Sequence, residues 1–117
     1  MSPAQDSKQQ VLQTLKQKIA GMEKVFAELT HVSNTTGDLD LQGSLREQLT
    51  ELNEDIAAAK ARRDAIAASA EVVAAPSAQE IQDIQDGLHA LDGFVRTDEN
   101  VHASVGFLQQ VLAQLKG

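Results

Sequence analysis

The chain contains no cysteine, no tryptophan and no tyrosine, and its only aromatic side chains are Phe26, Phe94 and Phe107. Without cysteine there are no disulfides and no thiolate metal sites, although this does not fix a compartment. Scarce aromatics turn the reading away from a β-sandwich, whose strands favour aromatic and β-branched residues. A core of Leu, Ile, Val and Ala suits interdigitated helices better. Long apolar runs are missing too. The longest stretch, around Val72 to Ala75, is only four to five residues, so no segment is expected to span a bilayer. Met1 to Gln10 is polar and has no apolar h-region, which makes the cytoplasm the default location.

An excess of basic charge is also absent. The net charge is −7, with residues 1–33 about neutral and residues 34–76 and 77–117 each at −4. A nucleic-acid binder needs a basic stripe to displace counterions, and this chain has none. An anionic membrane would repel most of the surface. Nor is there a G-x-S-x-G elbow, a Gly-rich phosphate loop or a P-loop lysine. No catalytic residue and no cofactor site is therefore named, and the protein is not expected to be an enzyme.

What is present is heptad patterning. With 117 residues, 42% of them apolar, the chain is one domain (1–117) with a single core. Leu12, Leu15, Ile19, Met22, Phe26 and Leu29 follow a 3-4-3-4-3 spacing, the seam of a coiled-coil helix. Val11, Val25 and Val32 stand one position before that seam and widen the apolar face, as suits a helix with two neighbours. Gly21 lies inside this helix at a cost of ~1 kcal/mol relative to Ala. The helix should end near Val32, where Ser33 to Asp38 is dense in turn formers.

The second helix runs from about Asp40 or Ser44 to about Val73. Ser44 and Glu47 read as a capping box, with Asp38 or Asp40 as earlier caps. Its seam is Leu45, Leu49, Leu52, Ile56, Ala59, Arg63, Ile66, Ala70 and Val73. The narrowing to alanine lets helices approach closely, and Arg63 can keep its stem in the core while its guanidinium reaches out. Lys60, Arg62 and Arg63 form the one basic cluster, which intrahelical pairing with Glu51, Asp55, Asp64 and Glu71 explains.

Pro76 stops this helix, and Ser77 with Glu80 makes a second capping box. Ile81, Ile84, Leu88, Leu91 and Val95 then share one heptad frame. Val101, Val105, Leu108, Leu112 and Leu115 share another, offset by three residues. Such a slip is a stammer or a break; Gly93 and Thr97, a possible N-cap, sit at it. The favoured fold is all-α: an antiparallel up-down-up bundle of three long helices, the third kinked or broken near 93–98. The alternative is four helices, with 77–117 divided into two.

Each histidine follows an acid by three residues: Glu28 and His31, Asp86 and His89, Glu99 and His102. Glu-x-x-His puts a carboxylate and an imidazole on one helix face, as in di-iron bundles. In this register the histidines fall at f, b and e, facing outward or sideways, so no metal site is assigned.

The expected function is therefore a non-enzymatic interaction module: an adaptor, assembly factor, chaperone-like protein or structural subunit. A protein partner or self-association is expected, as a homo-oligomer. Val11, Val25 and Val32 on the wide face of the first helix, and Phe107 off the seam of the last, are the candidate interface residues. The alternatives are an amphipathic coat on an apolar or lipid surface and a carboxylate/His metal-binding bundle.

Overall fold

The computed structural model describes residues 3–70, 73–94 and 101–116. Among these residues the chain forms four helices and no strand: α1 (Pro3–Thr35), α2 (Leu39–Ala68), α3 (Ala78–Asp92) and α4 (Val101–Lys116). The four-helix alternative, not the favoured three-rod bundle, is the one present. The register slip supplies the reason. In one continuous rod, the seam through Ile84 and Leu91 and the seam through Val105, Leu108 and Leu115 would face different ways. With the helix ended at Asp92, α4 folds back on α3 and both seams turn inward, where all five residues are buried. Gly93 caps α3, its N–H donating to the His89 carbonyl. Thr97 and Val95 lie outside the described residues.

The four helices differ greatly in length. α3 and α4 have 15 and 16 residues against 33 in α1. At 1.5 Å per residue α1 is about 50 Å long, close to the 54 Å length of the whole molecule. The other helices are laid along it. α2 runs antiparallel to α1, as shown by Gln42 Nε2 donating to Ser33 O at one end and Lys8 Nζ to Ser69 O at the other. α3 runs parallel to α1, with Leu88 against Gly21 and Lys24 Nζ reaching Leu91 O. α4 is antiparallel to α1 and parallel to α2. Side chains bridge the seam between α2 and α4: Gln109 Nε2 donates to Gln48 Oε1, and Lys116 meets Asp55 at 2.6 Å.

Several boundaries differ from the sequence reading. α1 continues to Thr35 because Ser33 is buried and the Thr35 hydroxyl donates to His31 O, keeping these turn formers helical. α2 starts at Leu39: the Asp38 side chain accepts from Leu41 N, and Ser44 lies within the helix. α2 ends at Ala68, not Val73. There the backbone turns extended at Ser69, whose N–H donates to Ile66 O and whose carbonyl accepts from Lys8 Nζ. The capping box at the start of α3 is present, with Ser77 Oγ accepting from Glu80 N. No described helix is long and apolar enough to cross a membrane.

Candidate functional site

The four candidate interface residues do not form an outer surface. Val11, Val25 and Val32 are buried, Val25 completely (0% exposed). Val25 and Val32 follow Gly21 at i+4 and i+11, on the face that receives Leu88 and Leu115. The apolar arc of α1 is wide because three helices pack on it, and Val25 and Val32 lie on the part facing the α3–α4 hairpin. Phe107 is half-buried and stacks on Phe94, with ring centroids 5.4 Å apart and planes 9° from parallel.

The basic cluster keeps one of the expected intrahelical pairs, Arg63 with Asp64, and otherwise pairs across helices. Lys60 pairs across helices with Glu23 at 3.5 Å, and Asp55 is taken by Lys116. Arg63 is half-buried, and its Nε donates to the adjacent Asp64. Glu71 lies outside the described residues. The histidines sit on three helices: His31 half-buried on α1, His89 exposed on α3, and His102 exposed on α4, 3.6 Å from Asp38. No group of three or more His, Asp or Glu placed to hold a metal ion occurs among the described residues. Glu99, the acid of the third pair, is not among them.

The surface that the fold does assemble is one the apolar pattern does not show. α2 and α3 both pack on α1 but, among the described residues, not on each other. The outer face of the N-terminal half of α1 lies between them and forms the floor of an open groove of about 910 Å³. Asp6, Gln9, Gln13 and Lys16 run along the floor, all exposed, with half-buried Leu12 and Gln17 beside them. α2 contributes Arg63, Asp64 and Ala67, and α3 contributes Ile81 and Gln85.

These residues offer hydrogen-bonding amides, one acid and one base on α1, and the apolar side chains of Leu12, Ala67 and Ile81 at the edges. Such a lining can hold polar backbone or amide groups and cover an apolar contact. The signal for this stripe is present in the sequence. Asp6, Gln9, Gln13 and Lys16 repeat the 3-4-3 spacing of the core seam in polar residues, which a search for apolar periodicity passes over. No protein-family model, curated protein or solved structure matches this chain.

Proposed function

We propose that this protein is a non-enzymatic interaction module whose partner is another polypeptide chain, docked on the groove between α2 and α3. The observation that supports this reading is the groove itself, an open concavity of about 910 Å³ with an amide-rich floor and apolar edges. Glutamine amides donate and accept at once, so they can pair with peptide groups or with other amides without burying an uncompensated charge. Leu12, Ala67 and Ile81 supply apolar area beside them. This mixture of polar and apolar contact is typical of surfaces that associate without being obligate.

The test compares the wild-type chain with Gln13→Arg and Ala67→Arg, both at exposed positions, as immobilised baits in extract from the source cells. Any protein retained by the wild type is purified and its binding measured directly. The expected result is a protein, a second copy of the chain included, whose affinity falls about tenfold or more in both variants. A wild-type chain that binds no protein at all, itself included, would end the reading.

A further inference from the structure

We infer that the partner fitted by this groove is a second copy of the same chain, with the two α1 helices antiparallel across a twofold axis level with residue 11. The inference rests on the interaction-module reading and names the partner of that same surface. In an antiparallel pair, a residue a given distance before the axis meets the residue the same distance after it. Asp6 and Lys16 stand equally far on either side of residue 11, and so do Gln9 and Gln13. Asp6 of each copy therefore faces Lys16 of the other, and each Gln9 faces a Gln13. A twofold interface uses every such contact twice.

The same stripe is not self-complementary in the parallel sense. In a parallel pair in register Asp6 would meet Asp6 and Lys16 would meet Lys16, which like-charge repulsion disfavours. The antiparallel register pairs both charges and leaves only amides between them. The four side chains are also available. All are exposed, and none makes an ion pair or hydrogen bond with another described residue. Three other polar side chains of α1 are engaged within the chain: Lys8 on Ser69, Glu23 on Lys60 and Lys24 on Leu91. The flanks suit a facing copy, because Ala67 and Ile81 are small or only half-buried and Arg63 is held back by Asp64.

Exposed ion pairs contribute little affinity, so their part here is to set orientation and register. The overlap from residue 6 to residue 16 covers about 16 Å of helix, at the small end of specific interfaces. The association is therefore weak and salt-sensitive.

Sedimentation velocity of the full chain at low salt, over a wide range of concentration, gives the test. The wild type is expected to dimerise reversibly, with dissociation rising as salt is added. Asp6→Lys and Lys16→Asp each place like charges opposite one another twice, and each should weaken the dimer about tenfold or more. The double variant Asp6→Lys with Lys16→Asp restores opposite charges and should return the dimer to near wild-type strength. Unchanged thermal melts of diluted samples check that all variants fold. A wild type that is monomeric at every concentration overturns the inference, as do single variants that dimerise normally or a double variant as weak as the singles. These outcomes stay distinct from failure of the broader reading: a strictly monomeric chain that still binds another protein through Gln13 and Ala67 loses only the second copy.

Discussion

Leu115 on α4 is seated so closely on Gly21 of α1 that a Cβ at position 21 would lie 2.8 Å from its Cδ1. Leu88 of α3 approaches the same point to 3.0 Å, and Gly87 receives Leu115 from the other side at 3.0 Å. The two glycines form a notch for one leucine that is only 1% exposed, and there three helices meet. Gly21→Ala should gain ~1 kcal/mol of helix propensity. It should lose more to overpacking, which costs about 1–3 kcal/mol in a filled core. The expected outcome is a net destabilisation of about 1 kcal/mol, read as a lower urea midpoint at unchanged m-value. A stabilised Gly21→Ala protein would show that the notch is not tightly packed.

Gly43, in the exposed first turns of α2, is the contrasting case. A Cβ there meets nothing within 4 Å. The propensity gain is then unopposed, and Gly43→Ala should raise stability by up to ~1 kcal/mol, seen as a higher midpoint in the same titration. The pair of variants separates backbone entropy from packing, since the substitution is identical and only the surroundings differ.

These two glycines also show what sequence periodicity can and cannot convey. Spacing places Leu12, Leu15, Ile19, Met22, Phe26 and Leu29 on one seam; four of the six are buried and Leu12 and Phe26 are half-buried, because a 3.6-residue repeat determines which side of a helix is apolar. It does not say how many neighbours share that side. Val25 therefore reads as a spare edge residue and proves to be interior, once α3 and α4 both dock beside Gly21. The heptad slip after Leu91 is visible, yet whether a slip bends a helix or breaks it depends on what the two halves can pack against. That is tertiary information. The groove was hidden for a different reason: its pattern is polar, and polar stripes on exposed helix faces are ordinary unless two other helices frame them.

Three caps, Asp38, Asp40 and Ser44, compete for the start of α2, and the structure chooses Asp38, whose side chain accepts from Leu41 N at 3.1 Å. Asp38→Ala should cost about 1 kcal/mol, whereas Asp38→Asn keeps an accepting oxygen and should cost little. Ser44→Ala, at an exposed position within the helix, should be neutral or slightly stabilising. Thermal denaturation of the three variants tests the assignment. A large loss at Ser44 with none at Asp38 would move the helix start back to the later box.

Val25 distinguishes an outer surface from an inner one by which property changes. At 0% exposure, truncation to Ala removes packed methyl groups and should cost about 2 kcal/mol. Because the residue belongs to the core and not to the groove, the dimerisation proposed above should be the same in folded Val25→Ala as in the wild type. Stability and sedimentation measured on the same sample decide the matter. Weakened assembly at full stability would return Val25 to the surface.

The stacked pair of Phe94 and Phe107 joins the end of α3 to α4, at the point where the register slip is resolved into a turn. Both rings are half-buried. Offset or stacked aromatic pairs contribute about 0.5–1.5 kcal/mol beyond the area they bury. A double-mutant cycle of Phe94→Ala, Phe107→Ala and the combination should return a coupling of that size, with the double variant losing less than the sum of the singles. The measurement bears on the fold as well as on the pair. A continuous helix through residues 93–98 would hold the two positions about 13 residues apart along one rod, some 20 Å at helical rise, where no coupling could arise. A coupling near zero would therefore count against the hairpin, and a clear one requires that α4 turn back on α3.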